Sequence, residues 1–324
     1  MLTSERVGTE QGTVHGTVVR STGSWYDVQS GDRLIPSRVR GRFRLTRGKE
    51  TSPVVVGDSV EVRLGDDDTG LIVGIGERSR CLLRRAAGKQ IGRSHVIAAN
   101  VDFAWVVQAA DQPKFNPGFV DRFLVMAASN QLPAGIIVNK RDILLDRAAR
   151  SALGEWRTLY EDLGYEVIYV SAHTGRGLRK LKKRLRGKIS VMAGPSGVGK
   201  SSLMNEVCPD LDLRTGEVSE ATGKGVHTTT VASLHRLKKD GFVVDTPGLR
   251  EFGLIGLDPP HLSHYFPEMA PLLPQCRFQN CTHDHEPNCA IKKGVEKGDL
   301  NLGRYESYIG MLNSLHLGDA DVGR

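Results

Sequence analysis

The sequence has few cysteines, few aromatic side chains and no long hydrophobic run. Five of its 324 residues are cysteine, and 6% are Phe, Trp or Tyr. A low and odd number of cysteines excludes a small scaffold that is held together by disulfide bonds. No run approaches the roughly 20 apolar residues of a membrane-spanning helix, and residues 1–10 lack the basic and then apolar pattern of a signal peptide. We therefore expect a soluble, cytoplasmic protein.

The composition is otherwise that of an average globular protein, because 39% of the residues are hydrophobic and 25% are charged. The length suffices for two or three domains of roughly 100–200 residues each. The formal net charge is +7, and residues 1–97 hold 16 Lys and Arg against 11 Asp and Glu. Most of the positive surplus therefore lies in the first third of the chain, where it favours a polyanionic partner.

Acidic residues are absent from the most basic parts of the sequence. Three segments concentrate Lys and Arg and contain no Asp or Glu: residues 38–49, 78–93 and 176–188. Such a segment can simply be a solvated face. In the first segment, however, Arg38, Arg40, Arg42 and Arg44 alternate, and alternate residues of a strand share one face. Four guanidinium groups on one face suit a phosphate backbone, so we expect these arginines to bind RNA.

Residues 1–95 have the pattern of a small β-barrel. Short β-branched and aromatic runs alternate with Gly and Asp turns, and residues 54–75 have the pattern of two strands around an acidic hairpin. Five or so short strands in fewer than 100 residues favour an OB-type barrel. Its few aromatic residues, among them Trp25, Tyr26 and Phe43, favour recognition of RNA by shape and charge over base stacking.

The pattern changes twice along the rest of the chain. Residues 96–255 alternate apolar strands with helical segments, which is typical of an α/β domain with a mostly parallel sheet. Residues 256–324 begin with five prolines that exclude a long helix, continue with clustered cysteines and end in a helical pattern over 299–317. We therefore predict three domains: an OB-type barrel at 1–95, an α/β domain at 96–255 and a metal-binding helical module at 256–324.

A phosphate-binding loop follows an apolar strand pattern at 189–193. The motif GxxxxGK[ST] is matched by Gly194, Pro195, Ser196, Gly197, Val198, Gly199, Lys200 and Ser201, and Ser202 follows. Glycines let backbone N–H groups surround a β-phosphate, and the helix N-terminus adds its dipole. Lys200 is expected to reach the β- and γ-phosphates, and the Ser201 hydroxyl to bind Mg²⁺. The strand–loop–helix context argues against a chance match in a glycine-rich turn.

Three further motifs accompany the phosphate loop, and the first of them selects GTP over ATP. They are Asn139, Lys140, Arg141 and Asp142 after one apolar strand, Ser171 and Ala172 at the end of another, and the DTPG motif with Asp245 and Gly248. The Asp142 carboxylate can accept from both N1–H and the exocyclic amine of guanine, whereas adenine presents an acceptor at N1. Asp245 would hold Mg²⁺ through water, and the Gly248 N–H would sense the γ-phosphate.

The order of these motifs is unusual. Residues 139–142 and 171–172 precede the phosphate loop and the DTPG motif, whereas most GTPases begin with the phosphate loop. The α/β sheet is therefore expected to be circularly permuted, with the basic segment 176–188 joining the usual ends of the domain. The DTPG motif then lies next to residues 256–324, so the nucleotide state would be coupled directly to the C-terminal module.

In combination, these motifs resemble the circularly permuted ribosome small-subunit-dependent GTPases, the RsgA/YjeQ/EngC family. The resemblance covers essentially the whole chain and is carried by NKRD, GPSGVGKSS, GVHTTT at 225–230, DTPGLREF at 245–252 and CRFQNCTHDHEPNCA at 276–290. It implies a monomeric GTP hydrolase that uses Mg²⁺ and binds the small ribosomal subunit and its rRNA. It further implies a role in late subunit maturation, with turnover stimulated by the subunit.

The residue that orients the attacking water is not the usual one. Many GTPases place a Gln directly after the DxxG motif for this purpose, but Leu249 occupies that position here. The family resemblance implies that His227 takes over the role. One of the threonines at 228–230 should cap Mg²⁺, and we favour Thr229 or Thr230. The alternative is that His227 is a loop residue without a role.

A metal site is predicted from Cys276, Cys281, His283 and Cys289, which offer three thiolates and one imidazole within 14 residues. In a reducing compartment this donor set indicates one structural, four-coordinate zinc ion. His285 competes with His283 by spacing, and the family pattern favours His283. Unliganded thiols are the alternative. Zinc should help to fold this proline-rich segment, which has little other apolar content.

Two other functions remain compatible with the sequence. In the first, the chain is a GTP-gated RNA-binding factor with incidental turnover, which Leu249 keeps open. In the second, it is a GTPase that serves translation or RNA modification. The permuted order and the cysteine cluster argue against the second function, although only through the resemblance.

Overall fold

The computed structural model describes most of the chain in nine stretches: residues 12–40, 53–65, 67–85, 94–144, 146–208, 211, 232–238, 240–245 and 257–316. None of the helices in these stretches has the length and apolar character that crossing a bilayer requires.

Five strands form a closed barrel: β1 (Thr13–Thr22), β2 (Trp25–Ser30), β3 (Arg33–Val39), β4 (Ser59–Leu64) and β5 (Gly70–Ile75). They pair in the order β1-β2-β3-β5-β4, and a β1–β4 pairing closes the ring. Only β3 and β5 are parallel among these pairs. The interior is apolar: Val18, Tyr26, Val28, Ile35, Val54, Val60, Val62 and Ile72. The predicted OB-type barrel is confirmed.

Segment 54–75 forms the two predicted strands, of which β4 begins at Ser59. Gly57 adopts φ +87°, and a Cβ there would lie 2.1 Å from the Ala99 carbonyl oxygen. Only glycine tolerates this approach in this conformation, so the chain turns before β4. Val56 instead forms an isolated bridge with Ala98 and ties the barrel to the next part of the chain.

A two-stranded hairpin follows the barrel, with β6 (Cys81–Arg85) antiparallel to β7 (Ser94–Ala99). The boundary predicted at residue 95 falls inside β7. Arg78, at the start of the second basic segment, is not a solvated residue. Its Nε lies 2.7 Å from Asp58 Oδ1, with the two side chains 9% and 0% exposed. This arginine is therefore a structural ion-pair partner between the hairpin and the barrel.

The central domain is a twisted sheet with helices on both faces. Its strands are β8 (Phe103–Ala109), β9 (Ala134–Asn139), β10 (Glu166–Tyr169), β11 (Ile189–Ala193), β12 (Ser233–Arg236) and β13 (Phe242–Asp245). Its helices are α1 (Pro117–Ser129), α2 (Arg147–Asp162), α3 (Leu178–Leu185) and α4 (Lys200–Val207). The order is β10-β9-β8-β11-β13-β12, with only β12 antiparallel among these described strands. Consecutive residues of β8 alternate between two buried clusters, as a sheet covered on both faces requires.

The C-terminal module begins with 3₁₀ segments at Pro259–Tyr265 and Leu273–Gln275, followed by helices α5 (Ala290–Lys297) and α6 (Leu302–His316). Its apolar core includes Phe266, Tyr308 and Leu312, together with Val125 from α1 of the central domain. The module therefore shares a core with the central domain.

A buried charge network reinforces this contact. Arg304 on α6 donates to Asp121 on α1 at 2.6 Å and to both carboxylate oxygens of Glu268 at 2.6 and 3.1 Å. The Tyr160 hydroxyl of α2 donates to the same Asp121 oxygen at 2.7 Å. Arg304 is 1% exposed and Asp121 is 0% exposed. Because each buried charge requires its partner, the network fixes the module on α1 and α2.

Candidate functional site

The phosphate loop connects β11 to α4 at the carboxyl edge of the parallel sheet. Gly194 follows the strand directly, and a Cβ there would lie 2.1 Å from the Val107 carbonyl oxygen on β8. The Lys200 ammonium donates to the carbonyl oxygens of Gly194 and Pro195, each at 2.7 Å. Ser201 and Ser202 lie in the first turn of α4. The loop thus has the strand–loop–helix form that exposes backbone N–H groups to a phosphate.

Asn139, at the end of β9, joins the three predicted nucleotide-binding segments that lie within the described residues. Its Nδ2 donates to the Val198 carbonyl oxygen at 2.9 Å, and its Oδ1 accepts from the Ala172 N–H at 3.1 Å. The side chain is buried. Gly199 is required beside it, because φ is +88° and a Cβ would lie 2.3 Å from Asn139 Nδ2. One amide therefore holds the phosphate loop against the NKRD and Ser171–Ala172 segments.

Asp142 is positioned to accept hydrogen bonds. A hydrogen bond from the Ser171 hydroxyl is the main cause that lowers its pKa, so the carboxylate is ionised at neutral pH. Ser171 also accepts from the Thr174 N–H at 3.0 Å, which fixes the loop after β10. Lys140 adopts φ +59° and donates from Nζ to the Gln112 carbonyl oxygen at 2.6 Å. The segment is thus ordered by its own contacts.

A cleft of about 590 Å³ lies between these segments. Its lining contains predicted residues from all three: Asn139, Lys140, Asp142, Ala172, Gly199 and Ser202. Five residues that the motifs did not indicate also line it: Gln112, Ile143, His173, Asn205 and Glu206. The sequence could have indicated His173, because this residue directly follows the Ser171–Ala172 motif. Gln112 belongs to no motif, so the sequence gives no sign of it.

The γ-phosphate side of the site is described only in part. Strand β13 runs parallel to β11 and ends at Asp245, so the DTPG motif starts beside the phosphate loop. The Asp245 side chain, Gly248, His227 and the threonines at 228–230 lie outside the described residues. Their predicted roles are therefore not tested by the structure.

The topology confirms the predicted permutation. The strands that precede the NKRD and Ser171–Ala172 motifs, β9 and β10, lie on one side of β8 and β11, and β13 lies on the other. All five strands are parallel, so the motifs at their carboxyl ends lie at one edge of the sheet. The motifs of β9 and β10 nevertheless come earlier in the chain than those of β11 and β13. The arrangement joins separated motifs into a single candidate nucleotide site.

A second candidate site lies in the C-terminal module, where one ligand atom each from Cys276, Cys281, His283 and Cys289 lies within 4.8 Å of the others. Cys276 Sγ is 3.5 Å from His283 Nδ1 and 4.0 Å from Cys289 Sγ, and that Nδ1 is 3.4 Å from Cys289 Sγ. Tetrahedral zinc, with bonds of about 2.3 Å to sulfur and about 2.0 Å to nitrogen, gives S···N near ~3.5 Å and S···S near ~3.8 Å. The four residues therefore fit zinc, held through Nδ1 of His283.

The surroundings of this cluster agree with a metal site. Burial lowers the pKa of His283, so its ring is neutral, as a ligand must be. Burial raises the pKa of the Cys281 thiol to about 12, so metal binding has to release that proton. His285, the competing ligand, is 81% exposed and is not one of the four clustered residues. The structure thus places His283 in the cluster and His285 outside it.

Hydrogen bonds from helix α6 stabilise the loop that contains the Cys₃His cluster. The Tyr305 hydroxyl donates to the His283 carbonyl oxygen at 2.8 Å, and the Tyr308 hydroxyl donates to that of Thr282 at 2.7 Å. Thr282 in turn donates from N and Oγ1 to Glu286, each at 2.7 Å. Burial opposes ionisation of Glu286, but these hydrogen bonds lower its pKa to about 2. The loop is therefore held in place by contacts other than the metal.

The predicted RNA-binding arginines are only partly described. Arg38 lies near the end of β3, with its guanidinium carbon 4.1 Å from the ring centroid of Trp25. Arg40 follows the strand, and its N–H donates to the Ile72 carbonyl oxygen at 3.3 Å. Both side chains are exposed. Arg42 and Arg44 lie outside the described residues, so the shared face of four arginines stays a prediction.

The fold and the nucleotide site together define a class, the circularly permuted P-loop GTPases, with an OB-type barrel before the GTPase domain and a Cys₃His module after it. Comparison with known proteins agrees. The family model described as RsgA GTPase matches residues 75–255, and the RsgA N-terminal domain model matches residues 15–72. The chain belongs to the RsgA GTPase family, which confirms the resemblance drawn from the motifs.

Relatives align over nearly their whole length. A protein of Bacteroides fragilis named small ribosomal subunit biogenesis GTPase RsgA is 38% identical over 92% of this chain and 96% of its own. A protein of the same name in Gemmatimonas aurantiaca is 41% identical over 93% and 97% of the two chains. The crystal structure of YjeQ from Thermotoga maritima superposes with a TM-score of 0.76 at 35% identity, covering 94% of this chain and 99% of that one. YloQ, described as a circularly permuted GTPase, gives 0.74 at 27% identity over 96% and 98%.

Proposed function

We propose that this chain hydrolyses GTP to GDP and phosphate, binds the small ribosomal subunit and its rRNA, and assists late maturation of that subunit. The observation that carries the proposal is the Asn139 amide, which holds the phosphate loop and the Ser171–Ala172 segment in one ordered site. The names of relatives that cover 92% or more of the chain support the ribosomal partner.

The nucleotide would be held by four motifs. Asp142 reads the guanine edge, and the backbone after Ser171 contacts the guanine oxygen. The phosphate loop surrounds the β-phosphate, and Lys200 neutralises the β- and γ-oxygens. Mg²⁺ would be held by the Ser201 hydroxyl, and by Asp245 through water.

Hydrolysis would depend on the segments that follow the phosphate loop. His227 orients the attacking water in place of the Gln that Leu249 replaces. Thr229 or Thr230 caps Mg²⁺, and the Gly248 N–H contacts the γ-phosphate. Since the DTPG motif leads directly into residues 256–324, release of phosphate would act on the zinc module.

Each of the three domains would have a separate role. Residues 1–95 bind rRNA phosphates through Arg38, Arg40, Arg42 and Arg44, residues 96–255 bind and hydrolyse GTP, and residues 256–324 hold one structural zinc. The positive surplus of residues 1–97 supports the first role. We expect the chain to act as a monomer in the cytoplasm.

The test is co-sedimentation of the full chain with separated small and large ribosomal subunits, in a non-hydrolysable GTP analogue and in GDP. We expect binding to the small subunit alone, and stronger binding with the analogue. Equal binding to both subunits would overturn the partner. The rate of GTP hydrolysis, measured with and without small subunits, distinguishes this proposal from the alternative of a GTP-gated RNA-binding factor. Such a factor would bind the subunit without any stimulation of hydrolysis.

A further inference from the structure

A second, larger cleft adjoins the guanine-binding segment. It measures about 930 Å³, and Asp142 contributes to its lining as well as to that of the nucleotide cleft. Four arginines from three separate segments line it: Arg141, Arg150, Arg157 and Arg176. All four side chains are exposed. Among the described residues of its lining, Asp142 is the only acidic one.

The cleft orients its arginines by specific contacts. Tyr169 lies at its wall, with its hydroxyl 3.2 Å from the Leu153 carbonyl oxygen, to which it donates. The guanidinium carbons of Arg141 and Arg157 lie 5.2 and 5.4 Å from the centroid of this ring. Arg150 donates from Nε to the Leu144 carbonyl oxygen at 2.8 Å. Guanidinium groups that are already ordered lose less conformational entropy when they bind a ligand.

The ion pair between Arg157 and Glu161 does not cancel the positive charge of the cleft. Arg157 lies 3.0 Å from Glu161, but the two side chains are 46% and 40% exposed. An exposed pair of this kind contributes little, because water screens it. A phosphate, which accepts two parallel hydrogen bonds from one guanidinium, can therefore compete for Arg157.

The positive surface continues beyond the cleft. Arg176 and Gly177 lead directly into α3, whose Lys180 and Arg184 pair with Glu166 at 3.6 and 2.8 Å. The remaining basic residues of this helix are exposed: Arg179, Lys182 and Lys183. Residues 141–188 hold twelve Lys and Arg against six Asp and Glu. A charged surface that extends past the cleft suits a chain of phosphates better than a single small anion.

We propose that this arginine cleft is a second RNA-binding surface, which takes the sugar–phosphate backbone of rRNA in addition to the barrel. The proposal rests on the proposed function for the identity of the RNA. Since Arg141 and Asp142 are adjacent and Ser171 lines the cleft, RNA bound there touches the segments that order the guanine site.

The test compares two double variants of the full chain in binding to purified small subunits over a range of salt. Arg157→Gln with Arg176→Gln removes two cleft charges, and Lys293→Gln with Lys297→Gln removes two exposed charges on α5, outside the lining and outside residues 141–188. The cleft variant should bind about tenfold more weakly, and its log–log salt slope should fall by about 1.5, since each phosphate contact contributes about 0.7–0.9. The control should match the wild type, and both should retain GTP affinity, which shows that they fold.

The experiment distinguishes failure of the arginine-cleft proposal from failure of the proposed function. If the wild-type chain does not bind small subunits, the proposed function fails. If it binds and the cleft variant keeps the wild-type affinity and slope, the arginine cleft is not an RNA surface. A photo-cross-linking residue in place of Thr174, which is exposed in the lining, should label rRNA. Labelling of a ribosomal protein instead would overturn the choice of RNA.

Discussion

Replacing Arg304 by Met should strongly destabilise the contact between the C-terminal module and the central domain. The substitution keeps much of the buried hydrocarbon but removes the only described cation bonded to Asp121 and Glu268. Asp121 is fully buried, and without the arginine it keeps the hydrogen bonds of two neutral hydroxyls, Tyr160 and Ser307, but no cation. An uncompensated buried carboxylate typically costs about 3–5 kcal/mol of folding free energy.

The loss should depend on pH. Burial already raises the pKa of Asp121, against the opposing effect of Arg304, and without the arginine the pKa rises further. A carboxyl group with a raised folded-state pKa binds its proton more tightly in the folded state, so stability falls as pH rises between the unfolded and folded pKa values. The variant should therefore lose more stability at pH 7.5 than at pH 5.0, by up to about 1.4 kcal/mol for each pH unit over which the folded state alone holds the proton.

Urea unfolding followed by circular dichroism at the two pH values measures both effects. Arg157→Met is the matched control, because this arginine pairs with Glu161 at the surface and should cost no more than about 0.5 kcal/mol. Adding Asp121→Asn to Arg304→Met should restore part of the stability by removing the buried charge. An unchanged unfolding midpoint in Arg304→Met, or an equal loss at both pH values, would refute the reasoning.

Three further predictions concern the candidate sites. Asn139→Ala removes two hydrogen bonds of about 1 kcal/mol each, so GTP affinity should fall about 30-fold in a fluorescent-nucleotide titration; unchanged affinity would show that the amide does not order the site. His227→Ala should slow subunit-stimulated turnover about a hundredfold while GTP still binds, and unchanged turnover would remove His227 from the mechanism. Cys281→Ser should lose zinc, measured as metal per chain, and one retained zinc would contradict the Cys₃His assignment.

Motifs with fixed spacing made the backbone of the candidate nucleotide site predictable, because each one fixes a local backbone shape. The phosphate loop requires its glycines, as Gly194 and Gly199 show, and the helix that follows spans Lys200–Val207 as the pattern indicates. Helices α1 and α2 begin at Pro117 and Arg147, each directly after a residue whose side chain accepts from the helix N-terminus. Local chemistry therefore marks where these helices begin.

Contacts between distant segments were not predictable. Arg304 and Asp121 are separated by 183 positions, and neither stands in a motif. The arginine cleft combines side chains from 141 to 176, which become neighbours only when α2 and the loop after β10 pack on the sheet. Arg78 showed the opposite effect, because a residue of a basic segment proved to be buried against Asp58. Charge counts identify basic segments, but only the fold decides which charges face a ligand.

The most direct test of the account is the rate of GTP hydrolysis by the full chain alone, with small ribosomal subunits and with large ribosomal subunits. The account predicts a low basal rate that small subunits raise strongly and large subunits do not. Rates that are equal in all three conditions, or equal stimulation by both subunits, would contradict a GTPase that acts on the small subunit.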